Sequence, residues 1–260
     1  MRRQLRAVQV VLFDWGGTLA KLNVNQDLLL TDCMKNVQKY LGEQGYDVGI
    51  EKLKEADTRA WADIYRSDGY REVDVSEVFG RILASAGVDV QGRPELLGGS
   101  IMADCMTVVP YVELYPDTLE VLSVLRRRGF RTGIVSNNAF PIILESYLAS
   151  HGQRHLFDVV IVSGNVGYVK PGKSIFHEAL RQLNAQADET LFIGDDPEAD
   201  IKGAKAVGMR TVWMNTSGAH GHDETRADYR IRRLRQILKI LRYTARAARV
   251  MKVQKGGCIM

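Results

Sequence analysis

The sequence predicts an α/β fold built on a parallel sheet, and three observations carry that expectation. From about residue 115 to residue 214, short β-branched runs alternate with helix-period stretches, the pattern of successive βαβ units. Gly129 and Gly208 stand where two of the helical stretches stop, and Gly152 lies near the end of a third. One further β-branched run sits alone near the N-terminus, separated from the alternating half by about 90 residues with little strand signal.

Taken in order, the run Val8-Gln9-Val10-Val11-Leu12-Phe13 ends at Asp14 and then Gly16-Gly17. It reads as a buried strand entering a tight turn, with the Asp14 carboxylate at the strand's C-terminal end. Apolar residues then recur at helical spacing over 28–41, 50–65 and 75–86, which predicts a helical cap inserted over residues 20–108. The alternating half reads as helix 116–128, strand 130–135, helix 139–150 and strand 159–162. Helix 174–183, strand 190–193, helix 197–207 and strand 210–214 complete it. The expected organisation is a Rossmann-like core from residues 1–19 and 109–225, the cap at 20–108, and a basic helical tail at 226–260. Right-handed crossovers would bring ligands to the carboxyl ends of the strands.

Composition narrows the class without naming a function. Hydrophobic content of 45% and charged content of 25% are ordinary for a soluble globular chain of 260 residues. No window approaches the roughly 18 apolar residues that span a bilayer, and Met1-Arg2-Arg3 leads into a strand-like run in place of a signal segment. A cytoplasmic location is therefore expected. Cys33, Cys105 and Cys258 include no CxxC pair, so neither a disulfide framework nor a zinc site is expected. His151, His155, His177, His220 and His222 show no metal-ligand spacing tied to the strand ends.

Four short segments fall at the C-terminal ends of four separate predicted strands: Asp14-Trp15-Gly16-Gly17-Thr18, Ser136-Asn137, Lys170-Pro171, and Gly194-Asp195-Asp196 with Asp200. Each alone is a common turn or cap pattern. Helix capping ahead of Pro197 explains one of the three acids and part of another, but not all three. A parallel sheet would bring the four segments to one edge, where one carboxylate can attack phosphorus and others can hold magnesium through hard oxygen ligands.

On these motifs the sequence resembles the haloacid dehalogenase superfamily of hydrolases, in the branch whose helical cap is inserted after the first motif. The likeness spans about residues 8–215. It implies a magnesium-dependent phosphatase acting on a small phosphorylated metabolite. Asp14 would be the nucleophile that becomes phosphorylated, with Thr18 steadying its loop, while Ser136, Asn137 and neighbouring amides would bind the phosphoryl oxygens. Lys170 would pair with the nucleophile and the phosphate. Asp14, the Gly16 carbonyl, Asp195 and Asp196 would hold Mg2+, with Asp200 orienting Lys170.

One departure from that family pattern stands out. The phosphatases of the superfamily carry a second aspartate two residues after the nucleophile, as general acid and base, and here that position is Gly16. Its loss removes help worth roughly 10²- to 10⁴-fold in rate. Asp27 and Glu77 in the cap are candidate substitutes. Two alternatives follow: a phosphonoacetaldehyde-hydrolase-like enzyme using Lys35, Lys52 or Lys54 as a Schiff base, and a binding or scaffold protein working through its tail.

The tail is charged unlike the rest of the chain. Residues 226–260 hold eleven Lys/Arg and one acid, Asp228, so a net of +10 sits beside a body of −6. Leu234, Ile237, Leu238, Leu241 and Ala248 fall on one helical face, and Arg232, Arg235, Lys239, Arg242, Arg246 and Arg249 on another. Two uses fit such a helix: packing its stripe on the protein or a second subunit, or contacting an anionic membrane surface or polyanion through residues 231–252. Cys258 is third from the end, so the terminus is not a prenylation box.

Overall fold

The computed structural model describes residues 7–64, 70–216 and 226–241. β1 (Val10–Phe13) leads through a turn into β2 (Ala20–Leu22), and four helices follow: α1 (Gln26–Glu43), α2 (Ile50–Ile64), α3 (Val75–Ser85) and α4 (Pro94–Val108). The chain returns through β3 (Val112–Leu114), which pairs antiparallel with β2. Beyond it come α5 (Thr118–Arg127), β4 (Arg131–Ser136), α6 (Pro141–Ser150), β5 (Val159–Val162) and a short helix, α7 (Ser163–Val166). Then come α8 (Lys173–Gln182), β6 (Thr190–Gly194), a π-helical turn at Pro197–Lys202, α9 (Gly203–Ala206), β7 (Arg210–Met214) and β8 (Tyr229–Ile231).

Six strands form one parallel sheet in the order β5-β4-β1-β6-β7-β8, with β1 central. The alternation of side chains along β1 explains its unbroken apolar run. Val11 and Phe13 enter a core with Leu122, Ile134 and Leu148, while Val10 and Leu12 enter another with Phe176 and Phe192. Each fully buried side chain of this size contributes about 1.5–3 kcal/mol relative to exposure.

The insert has a core of its own. Met34, Val37 and Leu41 of α1 pack with Leu53 of α2 and with Phe79, Ile82 and Leu83 of α3. Asn25 starts α1 by accepting from the Leu28 amide, and Asp74 starts α3 by accepting from Ser76, so side-chain oxygens satisfy amides that lack helical partners. The β2–β3 pair brackets these helices, so a strand stands at the start of the segment expected as cap, ahead of its first helix. The insert also meets the core through a short antiparallel pairing. Glu72 donates its amide to the Gly167 carbonyl at 3.1 Å, Val169 donates to Tyr70 at 3.0 Å, and Ser163 Oγ donates to the Glu72 carboxylate.

The tail differs from the expected continuous helix. Its first residues add β8 to the sheet edge, because Tyr229–Ile231 continue the parallel ladder from β7. Leu234, Ile237 and Leu241 are then buried in the same core as Phe13, and Asp117 accepts from the Arg235 amide at 2.9 Å. Through Leu241 the apolar stripe is covered by the protein itself, leaving no apolar face there for a membrane. The rest of the predicted contact segment, 242–252, lies outside the described residues, as do Cys258, His220 and His222. Among the described residues no helix is long and apolar enough to cross a membrane.

Candidate active site

Strand register gathers the site. Phe13 pairs with Ile134 on one side and Ile193 on the other, so Asp14, Ser136 and Asp195 emerge together at the carboxyl edge of three adjacent strands. Asp14 is nearly enclosed, and its amide donates to the Ile193 carbonyl at 2.9 Å. The turn that follows is closed by the Trp15 carbonyl, which accepts from Leu19 and Ala20. Gly17 takes φ +78°, and a Cβ there would lie 2.1 Å from the Asp195 carboxylate. Only glycine lets this turn pass so close to the acid. Thr18, fully buried, directs Oγ1 toward Asp195 Oδ1 at 3.4 Å.

Lys170 reaches the same edge from the loop before α8. Its Nζ donates to Asp14 Oδ1 and to Asp200 Oδ1, each at 2.6 Å, and all three side chains are buried. The Lys170–Pro171 peptide bond is cis. Asn137 clasps this loop: Nδ2 donates to the Lys170 carbonyl at 3.0 Å, and Oδ1 accepts the Lys170 amide at 2.8 Å. Asn137, expected to meet phosphoryl oxygens, makes these two bonds to the Lys170 backbone. Ser136 is buried at the end of β4, two residues past the Ile134 that pairs with Phe13.

The acidic cluster comprises Asp14, Asp195 and Asp200, whose ligand oxygens lie within 4.8 Å of one another. Asp196, expected as a ligand, is not among them. Its Oδ1 accepts from the Glu198 and Ala199 amides at 2.7 and 2.9 Å, capping the turn that begins at Pro197. A residue directly before a proline at the first helical position is where orphan amides need an acceptor, which accounts for the difference. Asp200 takes the inner place instead, with Oδ1 on Lys170 and Oδ2 accepting the Asp196 amide at 3.0 Å.

Electrostatics follow from this crowding. Burial pushes the Asp14 carboxyl up against the pull of Lys170, and burial lifts Asp200 to about 6. Burial and then the Asp200 charge raise Asp195. For Lys170, burial opposes the charged form, but two carboxylates outweigh it and hold the ammonium above its ordinary range. Three carboxylates against one ammonium leave excess negative charge in a poorly solvated place. Hard oxygen donors at this spacing fit a divalent cation such as magnesium, and the cation would relieve that excess.

Two features were invisible in the sequence reading. Trp213, at the end of β7, donates Nε1–H to the Asp195 main-chain carbonyl at 2.8 Å, and the Arg230 guanidinium lies 4.1 Å over its ring. The sequence signal for Trp213 is that of a core strand residue. Asn138 donates its amide to Ser163 Oγ at 2.7 Å, and that hydroxyl donates to Glu72 of the insert. The loop after Ser136 is thus tied to the insert through one hydroxyl.

The family model described as a haloacid dehalogenase-like hydrolase matches residues 8–208. A glyceraldehyde 3-phosphate phosphatase of Methanopyrus kandleri is 28% identical over 92% of this chain and 99% of its own length. A solved HAD phosphatase of Thermococcus onnurineus is 29% identical, covers 90% of this chain and 98% of its own, and superposes with a TM-score of 0.61. A 2-haloacid dehalogenase of Pseudomonas syringae pv. Tomato, 24% identical over 91% of this chain and 99% of its own, shares the fold with a TM-score of 0.69. With four motifs on one sheet edge and a family match over most of its length, the chain belongs to the haloacid dehalogenase-like hydrolases.

Proposed function

We propose that the chain is a magnesium-dependent phosphatase that transfers the phosphoryl group of a small phosphorylated metabolite to Asp14 and then to water. The observation that carries the reading is the Asp14 carboxylate, with one oxygen 2.6 Å from the Lys170 ammonium and the Asp195–Asp200 cluster beside it. The name of the Methanopyrus relative, a phosphatase, agrees with it.

In this reading Asp14 attacks phosphorus, the bond from phosphorus to the ester oxygen breaks, and the leaving oxygen takes a proton. Water then attacks the aspartyl phosphate, releasing inorganic phosphate and restoring Asp14. Lys170 neutralises charge that develops on the phosphoryl oxygens, and Ser136 with the amides after it would bind them. Asp14, the Gly16 carbonyl and Asp195 would hold Mg2+, which supplies Lewis-acid stabilisation of the same charge. Asp200 keeps Lys170 aimed at Asp14. Gly16 offers no proton, so the leaving group carries the acid–base burden alone or with the insert's help.

Of the three lysines that the phosphonate-cleaving alternative offers, none is buried. Lys35 pairs with Asp32, Lys54 pairs with Glu51, and Lys52 is exposed. Of the candidate proton donors, Glu77 is paired with Arg81 and Asp27 is exposed at the start of α1. The scaffold alternative leaves the buried charge cluster without a reason to persist.

The test is phosphate release from sugar phosphates, short-chain acid phosphates, nucleotides and an activated aryl phosphate, with magnesium or chelator, comparing wild type with Asp14→Asn. Magnesium-dependent release that disappears in Asp14→Asn is expected. No release above that variant from any ester would overturn the phosphatase reading.

A further inference from the structure

A cavity of about 450 Å³ lies between the insert and the core, beside the catalytic loops. Asn137 and Val169 line it, and they are the neighbours of Ser136 and Lys170. Its other walls include Trp61 of α2 with Phe140, whose rings meet edge to face at 5.8 Å, and Glu72. The space is of ligand size and opens beside the loops that carry Ser136 and Lys170.

The cavity's chemistry is one-sided. Trp61 spends its indole N–H on Asp57 Oδ1 at 3.2 Å, so it offers an apolar ring to the space. Glu72 contributes the charge: one oxygen accepts the Val73 amide at 2.8 Å and the other accepts from Ser163. A carboxylate is acceptor-only and still has lone pairs for hydroxyl or ammonium donors. Among the described residues that line the cavity, none is cationic.

Resting on the phosphatase reading, we propose that this cavity takes the leaving group of the substrate, and that Glu72 selects for one bearing hydroxyl or ammonium donors and no second anionic group. Small polyol, aldehyde-sugar and amino-alcohol phosphates fit. A leaving group with its own carboxylate or phosphate would meet Glu72 as a like charge.

The test compares kcat/KM for glycerol phosphate and ethanolamine phosphate with that for phosphoglycolate and pyrophosphate, in wild type and Glu72→Gln, with an activated aryl phosphate as reference. Wild type is expected to favour the first pair by about tenfold or more, and Glu72→Gln, which keeps an acceptor for Ser163, to shrink that ratio several-fold. Turnover of the aryl ester together with wild-type preference for the anionic pair, or with a ratio unmoved by Glu72→Gln, overturns the assignment and leaves the phosphatase reading intact. Absence of magnesium-dependent turnover on every ester, the aryl one included, overturns both. A wild-type preference for the anionic pair overturns the assignment even if the variant fails to fold.

Discussion

The Lys170 ammonium lies 2.6 Å from Asp14 Oδ1 with both side chains buried, and Asp200 holds the same ammonium from its other side at 2.6 Å. One cation thus neutralises two enclosed carboxylates and marks which oxygen of Asp14 is occupied. Lys170→Met should lower kcat by about 10²- to 10³-fold, since the charge that meets the developing phosphoryl oxygens is gone. It should also destabilise the fold, because two buried acids lose their partner. Adding Asp200→Asn to that variant should restore part of the melting temperature and none of the activity. Recovery of activity in the double variant, read by initial rates beside thermal melts, would contradict an electrostatic role for Lys170.

Trp213 acts on the site through the backbone of Asp195. Trp213→Phe keeps a ring beneath Arg230 but removes the donor to the Asp195 carbonyl. Magnesium affinity, measured by calorimetry without substrate, should fall about tenfold, the scale of other losses in the shell behind a metal ligand. Unchanged affinity would make Trp213 a packing residue only.

The turn after Asp14 has opposite tolerances at adjacent positions. A Cβ at Gly16 meets nothing within 4 Å, while one at Gly17 collides with Asp195. Gly16→Asp should therefore fold normally and raise the rate on esters with poor leaving groups, by up to roughly 10²-fold, with little gain on an activated aryl ester. Gly17→Ala should abolish magnesium binding. Equal gains by Gly16→Asp on both kinds of ester would show that proton transfer is not what Gly16 lacks.

Five of the six strands of the parallel sheet were legible because each holds a short run rich in β-branched residues, with helical stretches between them. The convergence of Asp14 and Asp195 on one edge was legible because a parallel sheet brings strand ends together whatever the sequence distance between them, and Lys170 joins them from the loop before α8. Asp200 holds Lys170 as expected, but Asp196 leaves the ligand cluster, because sequence lists three nearby acids and not which one the Pro197 turn consumes as a cap. Trp213 and Glu72 were hidden for a different reason: their importance lies in contacts with backbone and hydroxyl groups far away in sequence. β8 was missed because Tyr229–Ile231 is a three-residue edge strand flanked by arginines, read as part of a basic helix.

The insert carries its own pH dependence. Burial lifts the Asp57 carboxyl to about 6, and burial followed by the Asp57 charge lifts Asp104 to about 7. In the unfolded chain both would titrate near 4, so the folded state binds protons more tightly between about pH 4 and pH 7. Folding stability from these two groups is therefore greatest at low pH, falls as pH rises through that window, and levels off above it. Asp104→Asn removes the larger shift. It should raise the melting temperature at pH 8, by a free energy on the order of 2 kcal/mol, and change it little at pH 4. Differential melting of variant and wild type across pH 4–8 isolates this effect from the acids around Asp14, which titrate in both proteins. A variant equally stabilised at both ends of the range would mean that Asp104 costs stability through packing and not through its charge.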